Sequence, residues 1–512
     1  MKNIKNLILL SILMLSVSCS ESYLDVNQSS ASPSSATPDL LLPAALKNSA
    51  DMLWNADILN ASGDSFNLIG GIHAGVISDS GDRVWYEPEQ QYLIINTTYQ
   101  RIWNNTYTLT LMNYDIIENF EGETWDYYKA IAKIMKSFHF AMLVDTYGDI
   151  PYTEAFGRGN LTEPSYDDDK AVYDAIYDEL NVAINMIDNA PSGTLDPVTN
   201  DAMFIGNMVR WKQFANTLKL RMLLRQVNTG ENLSAKYSEI ENNGIGFLVG
   251  TASIDPGYSD NNEKQNPFYT VFGLIPGGGA PARNNEATRG NEFFVDFLKD
   301  NSDDRLSRLF EPAESDGEFR GVPQNVYTND YRTTATSQLG PGLLKGSDQR
   351  LFVMAGSESL FLQAEAAHRG FISGDAGALY KAAIAASFNE LNVSGLEDES
   401  AAATANEAAA AAYESGGFNS SVNWDIAVGA GEELKAIITQ KWVALGFISG
   451  FEVWMDRVRT NLPANIPIPQ GARNATFPSN LLYPESETAT NPDNVPSQTS
   501  GAAFDRHTFW MQ

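Results

Sequence analysis

A short stretch from Asp79 to Tyr92 holds acids, an arginine and three aromatic rings: Asp79-Ser80-Gly81-Asp82-Arg83, then Trp85-Tyr86, then Tyr92. These residue types suit sugar recognition. A sugar ring presents a face of C–H groups that packs on an aromatic side chain, while its hydroxyls need Asp, Asn or Arg partners. A later stretch repeats the combination with Tyr258, Phe268, Tyr269, Phe272, Arg283, Asn284 and Asn285. Asp82, Trp85, Tyr86, Tyr92, Phe272 and Arg283 are therefore the candidate ligand contacts. A plainer reading stays open for both stretches, in which the rings anchor loops to the body of the protein.

Other chemistries find little support. The four histidines are His73, His139, His368 and His507; none pairs with another at metal-ligand spacing, and there is no HExxH or cysteine cluster. His139 and His368 fall in helical patterns and read as structural. Pro276-Gly277-Gly278-Gly279 resembles a phosphate loop only in composition, because no Gly-Lys-Ser/Thr follows. Gly63-Asp64-Ser65 and Gly356-Ser357-Glu358 lack the flanks of a nucleophile elbow. Two carboxylates can suffice for glycoside hydrolysis, but among 64 acidic residues such pairs arise by chance and nothing singles one out. No catalytic residue, metal or cofactor is assigned, and the expected protein is not an enzyme.

The chain's balance, 34 basic against 64 acidic residues and a net charge of −30, argues against nucleic-acid phosphates as a partner. Lys2 and Lys5 precede an apolar run from Leu7 to Val17 that ends at Ser18-Cys19. A basic start, a short apolar core and a small residue before the cut describe a secretory signal, too short to span a bilayer as a helix. Cys19 is the only cysteine, so it has no disulfide partner. It is expected to carry the lipid of a mature bacterial lipoprotein; several acyl chains on one residue anchor durably. Residues 1–18 then form the signal peptide, and 19–38, rich in Ser, Ala and Pro, a flexible tether. Residues 39–512 form one folded body.

Helical periodicity must position the candidate loops. Ile131, Ile134, Met135, Phe138 and Met142 make one apolar stripe, and the helix should stop at Tyr147-Gly148. Asp167, Asp168 and Asp169 suit the start of the next helix, with Val172, Ile176, Leu180, Ile184 and Ile187 on its buried face. A third helix begins near Asn207 and buries Trp211, Phe214, Leu218 and Met222. The same texture returns at Leu360–His368, Ala376–Glu390 and Leu434–Leu445. Small residues at the contacts, such as Ala382, Ala383 and Ala386, let paired helices approach as in tetratricopeptide-like stacks. Ala401–Ala412 reads as a plain surface helix or insertion. Gly63–Gln91, Asn243–Gly290 and Asp316–Gly346 read as long loops, where function concentrates. The expected class is mostly α: tetratricopeptide-like helix pairs under long irregular loops, with few short strands.

Several ordered motifs resemble those of the SusD/RagB-like outer-membrane nutrient-binding lipoproteins of Bacteroidetes. They run from Tyr99-Gln-Arg-Ile-Trp-Asn-Asn-Thr-Tyr107 to Ala132-Lys-Ile-Met-Lys-Ser-Phe-His-Phe140 and Asp145-Thr-Tyr-Gly-Asp-Ile-Pro-Tyr152. Arg210-Trp211, Leu362-Gln-Ala-Glu-Ala366, Gln440-Lys-Trp-Val-Ala-Leu445, Glu452-Val-Trp454, Asp456-Arg457 and Tyr483-Pro484-Glu485 continue the order. The Gln-Lys-Trp form resembles the SusD-like branch. Glu365, Trp211 and Trp454 look like buried scaffold residues within it. The resemblance implies a helical scaffold with a variable ligand face. It also implies a partner, a SusC-like TonB-dependent β-barrel transporter on which the lipoprotein sits as a lid at the cell surface, anchored in the outer membrane. Oligosaccharide capture is the leading expectation. The same lid role for peptide or another nutrient, or a helical protein–protein scaffold without a small ligand, is the alternative.

Overall fold

The computed structural model describes residues 36–57, 63–157 and 161–511. The expected signal peptide, Cys19 and the tether as far as residue 35 lie outside the described residues. Helix α1, Pro38–Trp54, begins where the tether was expected to end and opens on a proline, whose missing N–H costs nothing in a first turn. No helix among the described residues is long and apolar enough to cross a membrane.

Helices dominate, as the periodicity predicts. After α1 come α2, Phe66–His73; α3, Met112–Glu118; and α4, Asp126–Tyr147. Helix α4 ends at Gly148, whose φ of 82° suits a residue without Cβ. Helix α5, Asp169–Asp188, is capped by Asp168, whose carboxylate accepts the Ala171 N–H. Helix α6, Met208–Arg225, is capped in the same way by Asn207, and α7 follows at Ser234–Asn242. Farther on lie α8, Glu292–Asp300; α9, Gly356–His368; α10, Ala376–Leu391; α11, Glu399–Gly416; α12, Ala430–Leu445; and α13, Gly450–Thr460.

Helices α4 and α5 pack as one antiparallel pair, α9 and α10 as another, and α6 joins the two by touching both α5 and α9. Helix α12 lies on α9, and α13 on α2. One hydrophobic cluster runs through all of these, from Leu42 to Met511. The Ala-rich helix α11 is more than a surface decoration, because Ala402, Ala410 and Tyr413 form a buried face and the helix packs on α10.

Stretches read as loop also hold helices: the short ones at Glu87–Gln90, Pro267–Phe272 and Arg283–Ala287, and the longer α2. Helix α2 lies inside Gly63–Gln91, where Gly70-Gly71 looks like turn punctuation. In the structure those glycines sit in a wholly buried helix pressed against α13. A Cβ on Gly70 would come within 2.5 Å of the Gly450 carbonyl oxygen, and one on Gly450 within 2.1 Å of Asn67 O. The glycines serve close helix approach, not chain reversal.

The strands are few and short. Strand β1, Ile77–Asp79, pairs antiparallel with β3, Thr288–Gly290, placing Asp79 opposite Thr288. Strand β2, Ala252–Ile254, pairs with β4, Leu351–Met354. The β1–β3 pair joins the two loop regions that carry the candidate contacts.

Candidate ligand-binding site

Asp79, at the end of β1, organises the first loop. Its Oδ2 accepts the backbone N–H groups of Trp85 at 2.8 Å and Tyr86 at 2.9 Å, and Tyr327 Oη donates to the same oxygen at 3.3 Å. Gln90 Nε2 donates to Oδ1 at 2.7 Å. Burial pushes the Asp79 carboxyl above its ordinary value despite these donors. Asp79 stands in the quoted sequence stretch, but a short acidic residue beside a turn looks the same whether it faces water or brackets a loop. The sequence reading therefore missed its role.

The structure brings Trp85 and Arg283 together across the β1–β3 pair. The Arg283 guanidinium lies 4.9 Å from the centre of the Trp85 ring, at cation–π distance. Trp85 remains 36% exposed, and Arg283 and the neighbouring Val84 are also exposed. Arg83 beside them pairs with Glu286 at 3.1 Å. These side chains form an exposed ledge with one large ring, two guanidiniums and a carboxylate.

Asp82 is exposed but engaged: it accepts the Thr333 N–H at 2.8 Å and the Thr333 hydroxyl at 3.1 Å. Its slight burial works against the charge, yet the donors from Thr333 and Ser80 outweigh that and hold the carboxyl below its ordinary value. Asp82 thus ties the ledge to the loop at 328–336. Arg289 of β3 supports the same loop from beneath, donating to Thr336 Oγ1 at 3.0 Å and Thr333 O at 3.2 Å. Burial lowers the Arg289 pKa to about 10. Nothing in its local sequence distinguishes Arg289 from an exposed arginine.

Three predicted contacts face inward instead. Tyr86 is buried, its hydroxyl 2.7 Å from Thr288 Oγ1 and accepting from Asn284 Nδ2 at 3.2 Å. Tyr92 is buried beside His73, the ring centres 6.0 Å apart. Phe272 packs edge-on against Trp54 at 5.8 Å. In this conformation these rings hold loops on the scaffold, the plainer of the two readings of the sequence. Period and composition do not distinguish an anchoring ring from a ligand-facing one.

The second loop carries a turn in which Leu274 pairs with Pro281 and Ile275 N–H donates to Ala280 O at 3.0 Å. Gly277 and Gly278, with φ of 83° and 70°, make this reversal. Leu274 and Ile275 are exposed on it. Leu274 also lines a pocket of about 420 Å³ with Tyr258, Asp260 and Tyr269. A larger cavity, about 1060 Å³, includes none of the six predicted contacts.

Scaffold positions behave as their motifs suggest. Glu365 receives two hydrogen bonds from Arg459, at 2.5 and 2.8 Å; Trp211 donates to Asp201 and Trp454 to Pro478 O, each at 2.7 Å. His139 is buried with Nε2 2.8 Å from Ser49 Oγ, and desolvation lowers its pKa to about 3. Asp149, Asp168 and Asp169 bring carboxylate oxygens within 4.8 Å of one another. Backbone N–H groups already engage each of them, from Asp169, Ala171 and Phe509 respectively, which is ordinary capping and loop closure.

The fold is similar to that of solved SusD homologues. Among these, the chitin-binding SusD homologue of Flavobacterium johnsoniae is 22% identical, with a TM-score of 0.75, covering 92% of this chain and 98% of its own. A SusD homologue from Bacteroides uniformis gives 22% and 0.73 (92% and 99% covered), and one from Bacteroides fragilis 20% and 0.71 (93% and 100% covered). No curated protein matches. The chain matches the SusD-like family model described as "Starch-binding associating with outer membrane" over residues 32–484, and it belongs to that family.

Proposed function

We propose that this protein captures oligosaccharide at the Trp85–Arg283 ledge and delivers it to a SusC-like TonB-dependent β-barrel transporter, acting as the transporter's lid. In this reading Cys19 bears the lipid that holds the mature chain on the outer face of the outer membrane. Residues 39–512 act as one binding body, and no step is catalytic. The observation that carries the reading is the half-exposed Trp85 ring with the Arg283 guanidinium against it. A ring that size supplies the surface for a sugar's C–H face, while the guanidinium offers donors in a fixed fork to its hydroxyls. The family description names starch, and the Flavobacterium johnsoniae relative is named for chitin binding. Malto- and chito-oligosaccharides are therefore the two ligand series to titrate.

Trp85→Ala is expected to weaken binding of the preferred series by about tenfold, as loss of a partly desolvated aromatic anchor does. Its helical circular dichroism should not change. Unchanged affinity in calorimetry removes Trp85 from the site. A pull-down from native outer membrane in mild detergent tests the lid role. A β-barrel transporter recovered in stoichiometric amount supports it, and a clean absence of such a partner overturns it.

A further inference from the structure

A groove of about 1060 Å³ lies between α8, the end of α11 and the turn at 467–470. Its apolar surface is unusual for a water-facing groove. Phe418 is 100% exposed, Ile468 is 41% exposed, and Phe293 and Phe297 stand half-buried. The two α8 rings rest on Trp442, at 6.0 and 5.9 Å, which holds them in place along the groove. An exposed apolar surface of this kind marks an interaction site more often than a lone exposed leucine does.

Charge decides what would cover it. Glu292, Asp296, Asp300 and Asp304 line the groove, and no Lys, Arg or His does so among the described residues. The nearest cation on the helix, Lys299, reaches Asp296 only at 3.9 Å, with both groups exposed. The first three acids recur every four residues along α8, so they share one face and lie about 6 Å apart along the helix axis. Alternate residues of an extended chain are about 6.6 Å apart and point the same way. Lysine or arginine at every second position would therefore meet one carboxylate each, while the side-chain stems lie on Phe293, Phe297 and Phe418. Pro467 and Pro469 form the opposite wall and lack N–H groups to offer a strand. Side chains, not an added ladder, must supply the recognition.

We propose that this groove docks an extended basic segment of another protein, with Lys or Arg at alternating positions. The chain's own residues 1–35 carry only Lys2 and Lys5 as cations and do not fit the role. A second copy, with its net charge of −30, is repelled. The site is distinct from the Trp85–Arg283 ledge and stands or falls separately from it.

The test uses full-length protein in mild detergent and a fluorescein-labelled peptide with lysine at three alternate positions, read by anisotropy. Binding is expected to saturate at low salt and weaken as salt rises. The double variant Asp296→Asn/Asp300→Asn should weaken it by about tenfold and flatten the salt dependence, and Phe418→Ala by about threefold. Both changes are at exposed positions, and unaltered circular dichroism will confirm folding. Trp85→Ala should leave peptide affinity unchanged, which separates this site from the glycan ledge. A peptide with glutamate replacing lysine should not bind. The proposal is overturned if the lysine peptide fails to bind, if the glutamate peptide binds equally, or if neither groove variant alters affinity. It is overturned too if a protonated glucosamine oligomer binds the groove and the lysine peptide does not.

Discussion

Arginine does opposite work in two parts of this molecule. In the scaffold, Arg221, Arg225 and Arg459 with Lys441 are buried among Asp145, Glu358, Glu365, Glu452 and Asp456, and Arg369 at the edge brings the set to five cations and five carboxylates. Arg225 alone meets Asp145 at 3.2 Å, Glu452 at 2.5 Å and Asp456 at 3.3 Å. On the ledge, Arg83 reaches Glu286 with both side chains about half exposed, and Arg283 lies over Trp85. A buried charge needs a protein partner, so each residue's identity is tied to several others on different helices. An exposed charge is satisfied by water, so the ledge can change its residues without threatening the fold. The scaffold thereby carries stability, and under the proposed function the ledge carries specificity.

Breaking the buried network should have the largest effect. Arg225→Met removes the cation shared by three carboxylates and is expected to cost about 3–5 kcal/mol, read as a lower urea midpoint at an unchanged slope. A loss under 1 kcal/mol would mean that the network is easily re-neutralised, and the contrast with the ledge would fail.

Asp79→Ala tests whether the ledge has a rigid base. It strips a buried acceptor from the Trp85 and Tyr86 amides, an expected cost of about 1–3 kcal/mol. Hydrogen exchange should accelerate at Trp85 and Tyr86 and stay unchanged in α4 and α9. Uniform acceleration throughout would make Asp79 a global stabiliser instead of a local bracket.

The difference between the regions also decides what the sequence could reveal. Helix α5 was legible because Asp168 at its start and Val172, Ile176 and Leu180 on its face agree on one register. Glu365 and Trp454 were legible as scaffold because their partners, Arg459 and Pro478 O, are required by burial. Helix α2 was not, because Gly70-Gly71 reads identically as a turn and as a close helix contact until Gly450 is known to face it. Of the candidate contacts chosen by residue type, Trp85 and Arg283 stand exposed and side by side. Tyr86, Tyr92 and Phe272 carry the same signal, and only the third dimension turns them inward. Asp79 escaped because a short acid beside a turn reads the same whether it faces water or accepts the Trp85 and Tyr86 amides, and Arg289 because its partners, Thr333 and Thr336, are far away in sequence.

Acid should distinguish the two buried histidines, His73 and His139, from an exposed one. His139 titrates near 6.5 when unfolded and at about 3 when folded, so the unfolded chain alone takes up a proton between these values. Its contribution is complete above pH 6.5 and is lost progressively as pH falls toward 3. At pH 5 the expected loss is about 2 kcal/mol. His139→Gln should reduce the pH dependence of the unfolding free energy between pH 6.5 and 4.5 without abolishing it, because buried His73 is also lowered to about 3. An unchanged slope would show that water reaches the ring.

Arg83→Met should have the smallest effect, and that is what makes it useful. Arg83 and Arg225 are the same residue type paired with the same carboxylate chemistry, but Arg83 and Glu286 are 49% and 53% exposed. Solvent screens their attraction and holding two long side chains together costs entropy, so the expected loss is below about 1 kcal/mol and vanishes in high salt. Glycan affinity should fall by no more than about threefold, since Arg283 and not Arg83 lies against the Trp85 ring. A loss of stability approaching that of Arg225→Met would mean that the ledge is part of the scaffold. A tenfold loss of glycan affinity with stability intact would move the centre of the site from Arg283 toward Arg83 and Glu286.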